Sequence, residues 1–383
     1  MKKRAYLDHA ATTPIDPDVL AEMLPFFAET GHNPSSLHAE GRRARAGLDR
    51  ARDRVATLLG VARKEITFTG SGSEADNQAV IGVARANRAR GTHVVASAIE
   101  HHAVLHALEA LRDEGYDVTL LPVDDDGLVD PVTFARVLRD DTILASVMLA
   151  NNEIGVIEPV AALAASARAR GVLFHTDAVQ AAGWIEIAPR VLGVDLLTLS
   201  GHKLYGPKGV GMLYVRDGVA ILPLVHGGGQ EFGRRSGTEN VAGIVGFAAA
   251  LENASAKRDE RARRVGRLRD RLEAGLHDRV RGMRINGAGA ARLPNISNVS
   301  FDGLDSEALL VRFDLEGIAV SAGSACTSGV LEPSHVIAAL HVDARWQRGV
   351  IRFSLGESTT EEEIDWVLER VSRITGELQG RPS

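Results

Sequence analysis

The chain has 383 residues, and its 44 Lys+Arg against 50 Asp+Glu give a formal charge of −6. This mildly acidic balance argues against binding nucleic acid by charge alone, and no apolar run reaches the ~20 residues of a membrane-spanning helix. The lone cysteine, Cys326, excludes an intrachain disulfide and is typical of a cytoplasmic protein. At roughly 150 residues per domain, the length predicts two or three domains, or one large and one small.

Short apolar runs alternate with helical patterns between about residues 60 and 215. This alternation predicts βαβ units and a mainly parallel sheet that is covered on both faces, and therefore an α/β fold. Helical patterns cover residues 73–90 and 102–114. The strand candidates are 66–69, 94–96, 118–121, 143–149, 172–174, 196–199 and 211–215.

The pattern changes after about residue 240. One long charged helix is predicted over 240–276, most simply with a solvated face, a basic docking patch being the alternative. Strand candidates at 296–301 and 350–353, with helical patterns near Glu307 and over 361–377, predict a smaller α+β domain. We expect a large domain at 16–250 and a small domain made of 1–15 together with 251–383.

Residues 69–74 (TGSGSE) lie between a predicted strand and a predicted helix. Glycines let the backbone approach a ligand, and the first N–H groups of a helix bind anions. The run lacks the spacing of a Walker loop or a dinucleotide fingerprint, so it favours a single phosphate over ATP or NAD. Ser73 would add a hydroxyl, and the alternative is a plain helix cap at Ser73.

Two more polar groups follow predicted strands. His101 and His102 lie at a strand-to-helix junction, which in a parallel sheet faces the ligand crevice, with metal ligation or capping as alternatives. Asp177, in residues 175–180 (HTDAVQ), follows another strand. Its carboxylate would bind a metal, orient a histidine, pair with a protonated ring nitrogen or cap a helix.

Two residues are candidate nucleophiles. Lys203, in residues 200–203 (SGHK), directly follows an apolar strand, where desolvation lowers the pKa of an amine, although most lysines are surface groups. Cys326 lies in residues 321–329 (SAGSACTSG), where nothing bulky would bury the thiol. We therefore expect an exposed, reactive cysteine there rather than a core residue.

These pieces combine into one kind of site. A phosphate cradle, an acid for a ring nitrogen, a stacking histidine and a lysine that can bind an aldehyde are the parts of a pyridoxal phosphate site. All of them follow strands of one α/β domain. We therefore predict pyridoxal 5'-phosphate as the cofactor and no metal site.

Ordered motifs run along nearly the whole chain: 6–14 (YLDHAATTP), 33–36 (NPSS), 151–155 (NNEIG), 200–203 (SGHK), 234–238 (RRSGT), 323–328 (GSACTS) and 351–354 (IRFS). In these motifs the sequence resembles the cysteine desulfurases of the NifS/IscS type, class V aminotransferases of PLP fold type I. The resemblance implies a large domain with a mainly parallel seven-stranded sheet between helices, a smaller α+β domain, and a homodimer.

The resemblance also implies a role for each matching residue. Lys203 would bind the cofactor covalently, Asp177 would pair with the pyridine nitrogen, and His101 would stack on the ring during catalysis. Gln180 would contact the ring hydroxyl, while Asn152 and Arg352 would orient the substrate, Arg352 by a two-pronged contact with its α-carboxylate. The phosphate would be held by Gly72, Ser73, Ser200, His202 and, from the partner subunit, Thr238.

The implied reaction converts L-cysteine to L-alanine. Lys203 would remove the Cα proton, and the thiolate of Cys326 would take up the sulfur as a persulfide. An acceptor protein, such as an iron–sulfur scaffold or a tRNA-thiolation enzyme, would receive it, with Cys326 contacting an iron–sulfur cluster during such a transfer. The alternatives are a selenocysteine lyase, another PLP-dependent lyase, or a non-catalytic scaffold.

Two features depart from the family pattern. Phe232 stands where members often carry a basic residue, which bears on dimer or partner contacts. The sequence also ends soon after its last helical pattern, without the tail that some members use to dock the scaffold. The identity of the acceptor is therefore left open.

Overall fold

The computed structural model describes residues 3–322 and 334–380. The strands are β1 (Ala5–Tyr6), β2 (Ile66–Thr69), β3 (His93–Ser97), β4 (Asp117–Leu121), β5 (Thr142–Ser146), β6 (Leu173–Asp177), β7 (Leu196–Ser200), β8 (Gly211–Val215), β9 (Met283–Ile285), β10 (Ile296–Phe301), β11 (Ile318–Ala319) and β12 (Val350–Ser354).

Helices connect these strands, and a π-helical segment, Gln78–Gly82, joins the fourth helix to the fifth. The helices are α1 (Pro17–Met23), α2 (Pro25–Ala28), α3 (Ala39–Leu59), α4 (Gly72–Asn77), α5 (Val83–Ala86), α6 (His102–Asp113), α7 (Pro131–Val137), α8 (Val160–Ala169), α9 (Pro189–Leu192), α10 (Val241–Ala256), α11 (Arg258–Arg279), α12 (Ser306–Glu316), α13 (His335–Ala339) and α14 (Glu361–Leu378).

The large sheet has seven strands in the order β2-β8-β7-β6-β5-β3-β4. Strands β3 to β7 pair in parallel, and β8 is antiparallel to both of its neighbours. Helices α4 and α6 pack on one face of this sheet, while the larger hydrophobic core fills the other. The predicted α/β fold with a mainly parallel seven-stranded sheet is confirmed. Because parallel strands end at the same edge, the carboxyl ends of β5, β6 and β7 lie side by side.

Two small sheets complete the fold. Strand β10 pairs antiparallel with β12 and β9, and β1 pairs in parallel with β11. An isolated bridge pairs Asp8, which lies just after β1, with Ser354 of β12. The N-terminal segment therefore runs against the C-terminal third of the chain. The domain boundaries that we predict between residues 15 and 16 and between residues 250 and 251 stay a prediction.

Two predicted helices differ from the structure. The helix predicted over 240–276 is two helices, α10 and α11, separated at Lys257. Nearly every side of α10 is buried because it packs against α1 and α3, whereas α11 buries only one stripe against α14. The helix predicted over 73–90 ends at Ala86, where the Asn87 side chain donates to the carbonyl of Val83.

Within residues 3–322 and 334–380, no helix combines the length and the apolar character needed to cross a membrane.

Candidate functional site

A cavity of about 300 Å³ opens at the carboxyl ends of β5, β6 and β7. Arg352, from β12, and the backbone that follows β1 close it from the side of the small sheets. Ten residues predicted for the site line this one cavity: Gly72, Ser73, His101, Asn152, Asp177, Gln180, Ser200, His202, Lys203 and Arg352.

The other two predicted site residues are Thr238 and Cys326. Thr238 is exposed, in the loop before α10, and does not line the cavity of this chain. Cys326 lies outside the described residues. Phe232, the departure noted above, is 57% exposed, and its ring stacks 5.2 Å from the guanidinium of the buried Arg52.

The start of α4 forms one end of the cavity. The helix is capped by Ser71, whose hydroxyl accepts from the N–H of Glu74, so the cap is Ser71 and not Ser73. A Cβ on Gly72 would stand 3.2 Å from both the Cβ of Ser200 and a methyl group of Val179. The absence of a side chain at Gly72 therefore lets the backbone and the hydroxyls of Ser73 and Ser200 face the same space.

Asp177 ends β6 on the buried floor of the cavity. Its Oδ1 accepts from the N–H of Val179 at 2.8 Å. Burial raises the pKa of this carboxyl to about 6, and the nearby Lys203 acts in the opposite direction. Gln180, one turn on, donates from Nε2 to the carbonyl of Ala10 at 2.9 Å. The strand end thus supplies one acid and, three residues later, one amide.

His101 caps α6 and faces the cavity from above the strand ends. Its Nδ1 accepts from the N–H of Ala103 at 3.1 Å, so a neutral ring carries its proton on Nε2. Burial, followed by the charge of Lys203, lowers the pKa of His101 to about 4. The ring is therefore an uncharged flat surface at neutral pH.

Lys203 lies in a 3-10 turn, Gly201–Lys203, directly after β7. The side chain is half-buried, and its Nζ donates to the carbonyls of Ala10 and Ala11, the latter at 2.7 Å. Its neighbour His202 hydrogen-bonds the hydroxyl of Thr12 at 3.1 Å, and burial lowers the pKa of His202 to about 4. The motif at 6–14 thus contributes backbone carbonyls that hold the lysine. The side chains of this motif did not indicate that role.

Arg352 projects from β12 and is 3% exposed. Its Nη1 donates to the carbonyl of Asn152 and its Nη2 to Asp8, both at 2.9 Å. Its Nε is buried and has no hydrogen-bond partner among the described residues. The guanidinium is therefore fixed in orientation by two contacts. Asp8 was not predicted for the site, because only the bridge between Asp8 and Ser354 brings it there.

The turn that carries Asn152 is organised by Asn151, which is fully buried. The Asn151 Oδ1 accepts from the N–H groups of Glu153 and Ile154 at 2.8 and 3.0 Å. Its Nδ2 donates to the carbonyl of Ile99, which ties the turn to the segment that leads to His101. Asn151 is a second residue that motif reading did not single out.

The residues on either side of segment 323–333 hydrogen-bond to the cavity residue Arg352 and to Glu153, the neighbour of Asn152. Ser321 exchanges backbone hydrogen bonds with Arg352, at 3.3 and 2.6 Å. Ser334 donates from Oγ to the buried carboxyl of Glu153 at 2.5 Å. Segment 323–333 is therefore flanked by a contact with the arginine on one side and by a contact with the turn of Asn152 on the other.

The residues present fit pyridoxal phosphate. Small and hydroxyl residues line one end of the cavity, a buried carboxyl lies on its floor, a neutral imidazole faces it, and a lysine amine projects into it. These are the donors and acceptors that a phosphate, a pyridine nitrogen, an aromatic ring and an aldehyde require. Asp76 also reaches the cavity, and its Oδ1 has no hydrogen-bond partner in the described part of the chain.

Comparisons with known proteins agree with this geometry. The family model described as "Aminotransferase class-V" matches residues 5–367. A "Cysteine desulfurase IscS" of Dictyoglomus turgidum is 47% identical over 379 residues, which cover 99% of this chain and 96% of that protein. One of Methanosarcina thermophila is 47% identical over 377 residues, covering 98% of this chain and 93% of that protein.

Solved structures are similar over the same length. A structure described as a "NIFS-LIKE PROTEIN" superposes with a TM-score of 0.91 at 40% identity and covers 97% of this chain and 99% of that one. A structure of "SspA in complex with cysteine" has a TM-score of 0.81 at 34% identity and covers 93% of this chain and 99% of that one. This chain therefore belongs to the class-V aminotransferases, a family of pyridoxal phosphate enzymes.

Proposed function

We propose that the protein is a cysteine desulfurase, which converts L-cysteine to L-alanine and takes up the sulfur on Cys326. The observation that carries the proposal is one cavity in which Lys203, Asp177 and Arg352 converge from three different parts of the chain. The relatives named cysteine desulfurase match this chain over almost its whole length. They favour this activity over a selenocysteine lyase or another lyase.

The cofactor would be held along the floor of the cavity. Gly72, Ser73, Ser200 and His202 would bind the phosphate, and Asp177 would face the pyridine nitrogen. His101 would stack on the ring as a neutral imidazole, and Gln180 would contact the ring hydroxyl. When bound, pyridoxal phosphate supplies an electron sink for the electron pair that is released at the substrate's Cα.

Lys203 would both bind the cofactor and move the proton. Its Nζ, placed by the carbonyls of Ala10 and Ala11, would take the Cα proton of the substrate. A lysine amine that hydrogen bonds hold in one place beside the substrate can act as the general base.

Arg352 and Asn152 would bind the substrate. The guanidinium is held by Asp8 and by the carbonyl of Asn152, and these two hydrogen bonds restrict the rotation of its plane. Arginine binds carboxylates through parallel N–H groups, so a fixed plane orients the α-carboxylate of L-cysteine. The Cα–H bond would then be directed towards Lys203.

The sulfur would be transferred to Cys326. Its thiolate would attack the substrate sulfur while the bond between Cβ and sulfur breaks, with the electron pair going to Cβ. The product is a persulfide on Cys326, and Cβ takes a proton to become the methyl group of alanine. The hydrogen bonds of Ser321 to the cavity residue Arg352, and of Ser334 to Glu153 beside Asn152, support this role for the segment between them.

We further propose a cytoplasmic homodimer in which Thr238 of each subunit completes the phosphate site of the other. The exposed position of Thr238, outside the cavity of its own chain, supports this arrangement. The persulfide sulfur would pass to an acceptor protein of iron–sulfur cluster assembly or of tRNA or cofactor thiolation. An iron–sulfur cluster contacted by Cys326 would be cargo and not a resident group.

The first test follows alanine and sulfide after L-cysteine and a reductant are added. The native enzyme should form both in equal amounts, and Cys326→Ser should form less than about 1% of either, because a hydroxyl does not accept the sulfur. The variant should retain the visible absorption of the bound cofactor, since Lys203 is unchanged. Full sulfide release by Cys326→Ser would contradict the proposal and indicate a lyase that eliminates sulfide directly.

A further inference from the structure

A second carboxyl lies beside Asp177, and the mechanism above does not use it. Asp76, on α4, reaches the same cavity and is 2% exposed. Its one ion-pair neighbour among the described residues is His175, whose Nε2 lies 3.6 Å from Oδ1. A carboxylate buried without a cation is costly, so its protonation state needs an explanation.

A row of buried polar side chains leads to Asp76. Ser146, His175 and Thr198 lie side by side on β5, β6 and β7 and are fully buried. The His175 ring hydrogen-bonds Ser146 at 2.9 Å and Thr198 at 3.0 Å, and the hydroxyl of Thr198 bonds Asp76. His175 precedes Asp177 by two residues in β6, so both side chains lie on the same face of the sheet.

This row supplies no positive charge to Asp76. Burial lowers the pKa of His175 to about 3, so its ring is neutral at pH 7. Burial is also the largest cause that raises the pKa of Asp76 well above its usual range. The negative charges of Asp177 and Glu100 add to it, and the bond from Thr198 only partly offsets it.

The two carboxyls are not equivalent. Asp177 accepts a backbone N–H from Val179 and lies near the charge of Lys203, and both favour its ionised form. Asp76 has one hydroxyl donor and an Oδ1 without a partner in the described structure. When two acids share a buried site, the better-solvated one carries the charge.

We propose that Asp76 is a neutral carboxylic acid in the working enzyme, so that the one negative charge on the cavity floor is confined to Asp177, opposite the pyridine nitrogen. This inference rests on the proposed placement of the cofactor. Asp76 is then a positioning residue that acts through Asp177. The Ser146–His175–Thr198 row holds it in place without adding a charge that would compete for the cofactor.

The test is infrared spectroscopy of the holoenzyme with aspartate labelled with ¹³C at the side-chain carboxyl, at pH 7. The label separates Asp76 from buried glutamates. The native enzyme should show the carbonyl band of one protonated, labelled acid. That band should vanish in Asp76→Asn and persist in Asp177→Asn, because burial and not Asp177 is the main cause of the protonation.

A matched control is Asp195→Asn. Asp195 is also buried, but it pairs with Arg216 at 2.6 Å and does not line the cavity, so its replacement should leave the labelled band unchanged. A native enzyme without the band, or a band that is lost in Asp177→Asn, would overturn the proposal. The Asp177→Asn spectrum decides the matter even if Asp76→Asn does not fold.

A second readout is cofactor affinity, measured by reconstituting the full-length apoprotein. Asp177→Asn should weaken the binding of pyridoxal phosphate at least ten times more than Asp76→Asn does, because only Asp177 carries charge. Equal weakening by the two variants would overturn the proposal. Neither readout requires turnover of L-cysteine, so each distinguishes this inference from a failure of the proposed function.

Discussion

Three imidazoles at or beneath the cavity, those of His101, His175 and His202, share one property. Burial lowers the pKa of each to about 4 or below, so all three are neutral at physiological pH. Lys203 and Arg352 therefore supply the cations that line this cavity. The three histidines therefore contribute shape and hydrogen bonds to the site, and not positive charge.

The substrate carboxylate provides a test of this division. Arg352→Lys keeps the positive charge but loses the planar pair of donors that Asp8 and Asn152 hold in place. We expect the KM for L-cysteine to rise roughly tenfold or more, since charge-assisted hydrogen bonds contribute about 1.5–3 kcal/mol. Steady-state kinetics measures it, and cofactor absorption should not change.

Arg292→Lys is the matched control for that variant. Arg292 is also largely buried and pairs with Glu273 at 2.7 Å, but it does not line the cavity. Its KM should equal that of the native enzyme. A KM for Arg352→Lys that is also native would show that the guanidinium does not bind the carboxylate.

At the scale of elements, the turn after β5 connects the two halves of the site. Asn151 shapes the turn, Asn152 meets Arg352, and Glu153 meets Ser334. Gly155 closes it with a φ of +77°, in the left-handed region that favours glycine. A shift of this turn would move both the arginine and the start of α13.

Gly155→Ala tests how tightly the turn is confined. The new Cβ would stand 3.0 Å from the Cβ of Ile296, in addition to the strain of a positive φ. We expect the free energy of unfolding to fall by about 1–3 kcal/mol more than in a variant that has the strain alone, because overpacking adds that amount. Chemical denaturation of the holoenzyme measures it.

Gly209→Ala isolates the strain. Its φ of +76° is nearly the same, and nothing lies within 4 Å of its Cβ position. Equal losses in the two variants would contradict the steric account of Gly155. A raised KM in Gly155→Ala alone would, in addition, connect the turn to the position of Arg352.

Across the whole molecule, local patterns predicted what depends on local sequence. The apolar runs gave five of the seven large-sheet strands to within one residue, with β2 and β8 at their observed bounds, since strands buried on both faces read as continuous apolar runs. The run predicted at 143–149 extends three residues past β5 into the turn, because Val147, Met148 and Leu149 are buried there without forming a strand, and the run at 172–174 stops three residues before the end of β6.

What the sequence did not predict depends on tertiary contacts. Asp8 and Asp76 belong to the site only because an isolated bridge joins Asp8 to Ser354 of β12 and because α4 packs against β7 and β8. The division between α10 and α11 has the same cause, since their different partners, and not a proline or a glycine, separate them. The residues that we predicted from motifs line one cavity because strand ends can be predicted from the sequence. The residues that support them, such as Asp8 and Asp76, could be identified only from the folded structure.

Stability against pH is the property of the whole molecule that these buried groups control most directly. Glu158 is 3% exposed, accepts the N–H of Val129 at 3.0 Å, and has a pKa raised to about 8 by burial. Its folded-state pKa lies above the unfolded value, so its contribution is complete below about pH 4.5 and is lost as the pH rises towards 8.

Glu158→Gln removes this titration and should therefore change the pH profile of stability. The difference in Tm, variant minus native, should increase by a few degrees between pH 5 and pH 8, because only the native protein must keep a proton on a buried acid. Differential scanning calorimetry with saturating cofactor measures it. Glu186→Gln, at an exposed position, should show a constant difference. A constant difference for Glu158→Gln as well would mean that Glu158 is ionised in the folded protein.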